Sequence, residues 1–360
     1  MAVAPATHPE PPLWQAGVPH WHLAFSTPAG VFTGEPVEWH QLQVNLRLAD
    51  TNDVSVTIPG LTVEAGLVTE LATDLWVWLD DVLLFRGRIT SAEDSIDRDG
   101  DYQVAIRATD YRGVLARRFL VSGFTLTYTN VAQAEIAWGL IADAQARSGG
   151  NLGITRGTVP AGQPRTETFA YDQNVTEAID SIAKVSAGFD WEIDANLRFN
   201  AYSPTRGHDT VIPLDYGGTV AEFSRRSGSG SFANAVRVTG GTGTVAASRT
   251  EAGIASDPRG RWDASASESD RVVQSSVNLR ADKLLADLMM QPDTYDLVLA
   301  AGAWSGLGLW LGDCGQMIVH HGRLQLDQQV RITEVGFQAN EDGGYTATIG
   351  AIRCEGVPRA

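Results

Sequence analysis

A chain of 360 residues with 27 basic and 43 acidic side chains has a formal net charge of −16. That balance repels phosphate and excludes a grip on nucleic acid through counterion release. With 43% hydrophobic and 19% charged residues, the chain is also too apolar to be disordered.

At roughly 150 residues per domain the length predicts two or three domains, with cores that need no metal or disulfide staple. The start, Met1-Ala2-Val3-Ala4-Pro5, lacks the basic region and apolar core of a secretory signal. The most apolar stretch, Leu297 to Leu311, is interrupted by Gly302, Ser305, Gly306 and Gly308, so no membrane insertion is expected. Cys314 and Cys354 are too few for a disulfide framework or a zinc site, and both are expected as small buried hydrophobes in a reducing setting. Lysine occurs only at 184 and 283; the other basic residues are arginine.

Residues 1–19 carry Pro5, Pro9, Pro11, Pro12 and Pro19 and read as an extended arm, with Trp14 and Trp21 as anchors. From about 20 to 110 the period is two, within a first domain expected over 20–118. Gln41 to Leu48 alternates polar and apolar residues throughout, Val54 to Ile58 repeats the pattern, and Leu75–Leu79 with Val82–Ile89 flank Asp80-Asp81 as a hairpin. Tyr102 to Ala108 alternates again after a turn at Asp97–Gly100. These strands predict a first antiparallel β domain.

Residues 119–222 change character. Asn130 with Gln133 predicts a capped helix through Ile136, Leu140, Ile141 and Ala144, ended by Gly149-Gly150. Asn174 with Glu177 predicts a second helix through Ile179, Ile182 and Val185, and Phe189 to Tyr202 a hairpin turning at Ala195-Asn196. Two helices and a hairpin make a small α+β domain. Ser227 to Ser231 reads as a linker, residues 244–272 as a long loop, and residues 277–290 as a helix. A second β domain is expected over 223–360, with 244–272 inserted in it.

The strongest signal is internal. With a constant offset of 243, Arg88–Ala108 aligns without gaps on Arg331–Ala351, and eight of 21 positions agree. The matches cluster at a strand start (Arg88-Ile89-Thr90 on Arg331-Ile332-Thr333), a turn (Asp99-Gly100 on Asp342-Gly343) and a strand end (Tyr102, Ile106 and Ala108 on Tyr345, Ile349 and Ala351). One β-hairpin written twice predicts two related β domains, one near each end of the chain.

Chemistry-bearing patterns are weak by comparison. Asp97-x-Asp99-Gly100 resembles a calcium loop, but the twelfth position would be Ile106, where a glutamate is required, so a turn is expected. His20 and His22 share a strand face without a third ligand, and His320-His321 has none either. No nucleophile elbow, zincin helix or phosphate loop is present. No carboxylate pair sits where one pKa would rise and the other would not. No catalytic residue, metal or cofactor is expected.

The segments in order resemble the hub protein at the tail tip, or baseplate, of long-tailed bacteriophages, a family of minor tail and tail-associated proteins. The resemblance covers about residues 20 to 354. It rests on Leu84-Phe85-Arg86-Gly87-Arg88-Ile89, on Asp110-Tyr111-Arg112 with Leu115 and Arg117-Arg118, and on the Asn174 helix with its hairpin. Asn234 to Gly240, Leu311-Gly312-Asp313 and Arg331-Ile332-Thr333 complete it. The signature positions so marked are Phe85, Arg86, Gly87, Asp110, Tyr111, Arg117, Asn234, Gly312 and Asp313.

This resemblance implies a mainly β fold of two tube-like antiparallel β-barrel domains with a small α+β domain. It also implies a homotrimer whose six barrels match a six-fold tail tube. The implied partners are the distal tail protein, the tape-measure protein and a central fibre or spike, with DNA only in passage and the protein in the virion at the tail tip. The chain ends soon after its last strand, without the peptidase, lysozyme or fibre region that many relatives carry, which implies a structural role. Many of the 43 acids are expected to line the channel, where they would repel DNA. The competing readings are a cell-wall-degrading enzyme, which lacks its catalytic constellation, and a host-glycan-binding module, which ten tryptophans would serve.

Overall fold

The computed structural model describes residues 19–120, 125–184, 188–226, 232–241, 243–268, 274–289 and 293–354. The proline-rich arm, apart from Pro19, and the Ser227–Ser231 linker lie outside the described residues, as does Val185. The fold is mainly β with a few helices. The chain forms two compact units, one of residues 1–224 with 296–360 and one of residues 225–295.

Alternation writes the first strands. They are β1 (Trp21–Ser26), β2 (Phe32–Gly34), β3 (His40–Arg47), β4 (Asp53–Pro59), β5 (Asp74–Leu79), β6 (Val82–Ile96) and β7 (Tyr102–Asp110). In β3, Leu42, Val44 and Leu46 are buried while the residues between them stay open, as a half-buried strand requires. β6 runs seven residues past its apolar stretch, because pairing with β7 carries the backbone through Glu93 and Asp94 without hydrophobic phasing.

The α+β part follows as α1 (Tyr111–Leu115), β8 (Leu126–Ala132), α2 (Gln133–Gln145), β9 (Thr155–Arg156) and β10 (Pro164–Phe169). It continues with α3 (Val175–Ala183), β11 (Asp190–Ile193) and β12 (Arg198–Tyr202). Asn174 caps α3 by accepting from the Thr176 and Glu177 amides at 2.9 and 3.2 Å. The expected Asn130 cap of α2 is not made. Asn130 sits inside β8 at φ 56°, its amide donates to Thr166, and α2 starts at Gln133 without a side-chain cap. Ile136, Leu140 and Ile141 of α2 close one core with Ile179 and Ile182 of α3 and with Trp191 and Phe199 of the β11–β12 hairpin.

The chain then runs through β13 (Asp209–Asp215) and β14 (Val220–Arg226) into the second unit. That unit holds β15 (Ala235–Gly240), β16 (Val245–Thr250), β17 (Asp263–Glu268) and α4 (Gln274–Met289). The expectation of a loop over 244–272 is corrected here. β16 pairs antiparallel and β17 parallel with the central β15, the small residues of Ala264-Ser265-Ala266-Ser267 alternating too weakly in hydropathy to announce a strand. Val238, Ala247, Val277 and Ala281 form the core of this unit.

The last elements are β18 (Thr294–Leu299), α5 (Trp304–Leu307), β19 (Cys314–His321), β20 (Leu324–Ala339) and β21 (Tyr345–Arg353). A second correction concerns the cysteines. Both are buried, as expected, but Cys314 at the head of β19 and Cys354 just past β21 are joined as a disulfide. β19 and β21 flank β20, which brings two residues 40 apart in sequence together.

The repeated hairpin folds as one motif twice. Gly100 and Gly343 hold φ 90° and 82° at the two turns, closed by Gly100 N–H to Asp97 C=O and Gly343 N–H to Asn340 C=O. Each hairpin slips register at the same place, between Ile89 and Ser91 in one and between Ile332 and Glu334 in the other. The threonine at that bulge donates to the facing strand in both, Thr90 to Arg107 C=O and Thr333 to Gly350 C=O, again 243 residues apart.

The equivalence extends beyond the hairpin. The order β3-β4-β7-β6-β5 in the first copy matches β14-β18-β21-β20-β19 in the second. The two copies join edge to edge through β20 and β3 into a single 13-stranded sheet. Differences sit at the margins. β5 is flanked by β1, running antiparallel, whereas β19 is flanked by β13, running parallel. The chain between β14 and β18 holds the second unit, where β3 and β4 are joined by a short turn.

Candidate functional site

Among the described residues no catalytic constellation emerges; what they build instead is two buried ionic nodes at equivalent points of the duplicated sheet. Arg86 and Arg88 lie two apart on one face of β6. Opposite them Asp74, 0% exposed at the head of β5, receives Arg88 Nε at 2.7 Å, Arg86 Nε at 3.3 Å and the Tyr111 hydroxyl at 2.6 Å. Arg86 also lies over the Trp76 ring at 4.3 Å and donates to Pro28 C=O. Burial, then the Asp74 charge, pushes the Tyr111 hydroxyl up to about 12, so it stays a donor.

The second node centres on Arg331, the counterpart of Arg88. It reaches the Asp190 carboxylate on β11 and donates to the Gly312 and Arg206 carbonyls. Arg206 bonds Glu192 Oε2 at 2.6 Å while the Tyr202 hydroxyl bonds Oε1 at 2.6 Å. Burial and the Glu192 charge hold the Tyr202 hydroxyl protonated. Asp313 accepts from the His208 and Trp310 amides at 3.1 and 2.7 Å, and burial raises its carboxyl above the ordinary range.

Among the signature positions, Arg86 and Tyr111 belong to the first node, Phe85 is buried with its ring end over Gly87, and Gly87 lies against the Thr109 carbonyl. Asp110 caps α1 through the Gly113 amide at 2.9 Å, receives the Asn52 amide at 3.1 Å, and is pushed by burial up to about 7. Gly312, at φ 93° and 2.7 Å from the Arg206 carbonyl at its Cβ position, belongs with Asp313 to the second node. Asn234, fully buried in the other unit, ties Trp262 N–H, Gly260 C=O and Asp257 together. Arg117 is exposed. Apart from Arg117, the signature positions therefore gather at three places rather than one.

Asp74, Asp190, Glu192 and Arg206 went unmarked in the sequence. The available signal was the spacing of Arg86 and Arg88, two cations on a largely buried strand that one facing carboxylate neutralises. A cleft of about 420 Å³ is lined by Glu192, Asp194, Arg198, Asn200 and Tyr202 among others. Both Glu192 oxygens are already hydrogen-bonded, so that carboxylate is not poised for acid–base work. Asp97 accepts from the Asp99 and Asp101 amides, a self-contained turn. His22 stacks on Trp78 at 4.9 Å and reaches Glu35 at 3.4 Å. Among the described residues no group of three or more His, Cys, Asp or Glu side chains is placed to hold a metal, and no helix is long and apolar enough to cross a membrane.

At the sequence level no protein-family profile and no curated protein matches the chain. Solved structures do. The 43 kDa tail protein of prophage MuSo2 from Shewanella oneidensis superposes with TM-score 0.69 at 13% identity, covering 94% of this chain and 100% of that one. A tail protein from Neisseria meningitidis gives 0.68 at 14% identity, covering 94% and 97%. A type VI secretion component of Escherichia coli, itself similar to the T4 tail proteins gp27 and gp5, gives 0.52 at 13%, covering 90% and 75%. Along nearly its whole length the chain thus shares the fold of these phage tail proteins.

Proposed function

We propose that the chain is the structural hub of a phage tail tip. Three copies form a ring that closes or continues the tail tube, with the distal tail protein on one side and the central fibre or spike on the other. The tape-measure protein ends in its channel, and DNA passes through without being bound. On this reading the tube-like barrel domains are residues 20–118 and 223–360, the second completed by β13 and β14 and carrying the unit of residues 225–295 as its insertion, and the α+β elements from β8 to β12 pack outside the tube. The protein is a virion component at the tail tip without enzymatic activity.

The observation that carries this reading is the duplication, since one protomer already presents two equivalent β units in one continuous sheet. A trimer then supplies six units to a six-fold tube. The net charge of −16 supports a wall that repels DNA. Native mass spectrometry of the purified chain tests it: three copies of the 38.6 kDa chain are expected, and a monomer or an even-numbered oligomer contradicts it.

One observation favours the host-glycan reading. Phe32, Trp76, Trp78 and His22 form a partly exposed row, with Phe32 5.1 Å from Trp76 and the two indoles stacked at 5.6 Å. Such flat faces suit sugar rings. Binding on a glycan array that is lost on Trp78→Ala would establish it; an empty array dismisses it.

A further inference from the structure

Each copy ties together the two strands that flank its middle strand, and the two ties differ in chemistry. Asp74 pairs with Arg88 as Cys314 pairs with Arg331, so Cys314 stands where Asp74 stands in the first copy. The 243-residue offset continues through the pairs Gly87 with Asp110 and Val330 with Arg353, and it carries Tyr111 onto Cys354. In the first copy Tyr111 reaches across β6 and its hydroxyl donates to Asp74 at 2.6 Å. In the second the disulfide crosses β20 between the same two positions.

The exchange of residues changes where charge goes. Asp74 neutralises Arg88 within the sheet, whereas Cys314 offers Arg331 no counter-ion, and Asp190 of β11 takes that place. It also changes what the tie responds to. A tyrosine bonded to a carboxylate is indifferent to thiols, but a disulfide closes and opens with the redox poise around it. One copy therefore holds a permanent tie and the other a conditional one.

The backbone around the conditional tie is paired without it. β19 and β21 both hydrogen-bond to β20, Cys314 N–H donates to His208 C=O, and Cys354 N–H donates to Gln329 C=O, both at 3.0 Å. The two sulfurs are thus brought together by the strands before any bond forms. No other cysteine occurs in the 360 residues, so oxidation has one intramolecular product. Both cysteines are buried, at 6% and 5% exposure, so thiol exchange needs a local opening and either state persists once set.

We propose that Cys314 and Cys354 form a redox lock on the second copy, open as two thiols inside the reducing host cell and closed once the particle is outside. The timing rests on the virion reading above. Closure uses an oxidant of the low-molecular-weight disulfide class, such as oxidised glutathione. One cysteine attacks it, forming a mixed disulfide and releasing one thiol. The other cysteine then attacks the protein sulfur of that mixed disulfide and releases the second thiol. Two electrons pass to the oxidant, and the two cysteine protons end on the two released thiols.

Thiol trapping with hydrogen exchange tests it. The full-length chain made in a reducing cytoplasm, quenched in acid and labelled with a maleimide, is expected to carry two free thiols. Oxidised glutathione then closes them in the native protein without changing its circular dichroism. On closure the amides of residues 314–316 and 350–354 are expected to exchange with deuterium about tenfold more slowly, while those of 74–76 and 109–112 keep their rates. A bond already formed in the quenched chain, or a reduced chain without native circular dichroism, overturns the lock and makes the disulfide a folding staple. Equal slowing in both copies, or none in either, overturns it as well. Cys314→Ser with Cys354→Ser is expected to exchange like the reduced form with or without oxidant. If that variant does not fold, the two redox forms of the wild type decide alone. Oligomeric state is read separately, so a monomer that closes on oxidation dismisses the ring and leaves the lock standing.

Discussion

At the scale of single residues, stability concentrates where charge is buried. Asp74 neutralises two largely buried arginines, so removing its charge leaves them uncompensated. Asp74→Asn is expected to cost about 3–5 kcal/mol in a urea melt, the range for breaking a buried pair from one side. A loss no greater than that of an exposed ion pair, under about 1 kcal/mol, would show that the node is solvated. Asp110 gives a pH signature. Its carboxyl sits at about 7 when folded because burial outweighs the two amides it accepts from, against about 4 in an unfolded chain. The folded state keeps a proton that the unfolded chain releases between those values. This contribution to stability is therefore complete below about pH 4 and is lost as the pH rises through about 7. Between about pH 5 and pH 8 the wild type should lose on the order of 1–3 kcal/mol more than Asp110→Asn; parallel stability curves for the two proteins would contradict it.

At the scale of elements, the duplicated hairpin ties sequence to architecture most tightly. Its turn glycines and bulge threonines recur at the 243-residue offset and fold alike, because turn type and bulge are set by local residues. Gly100→Ala, with nothing near its Cβ position but φ of 90°, should cost about 1 kcal/mol. Gly343→Ala adds a 3.1 Å approach to the Pro19 carbonyl and should cost more; the reverse order, read from thermal melts, would break the equivalence. The disulfide clamps the two strands that flank β20 in the second copy. Reduction, or Cys314→Ser with Cys354→Ser, should lower stability by about 2–4 kcal/mol through the freed loop, and an unchanged melt would contradict the clamp. Alternating strands such as β3 and β4, and the capped helix α3, were legible because one face of each is buried and its ends carry their own signals. β8, β10, β16 and β17 were not. Their residues are small or polar, and the strand state there is imposed by neighbours rather than by hydrophobic period. The disulfide was hidden for a similar reason, since strand order, not spacing, brings Cys314 to Cys354.

At the scale of the whole molecule, two halves share one strand order and one seam while different parts are appended to each. The repeat in the sequence pointed to two β units; their fusion into a single sheet depends on a pairing between β3 and β20 that lies nearly 300 residues apart and leaves no local trace. The signature positions likewise spread over two ionic nodes and a buried asparagine, because each supports a bend or junction rather than a shared active centre. Electron microscopy of the purified, full-length protein tests the central claim most directly. Class averages are expected to show a ring of three chains around a central hole, its inner wall carrying six similar lobes. Solitary particles, or a ring whose inner wall repeats only three times, would contradict it.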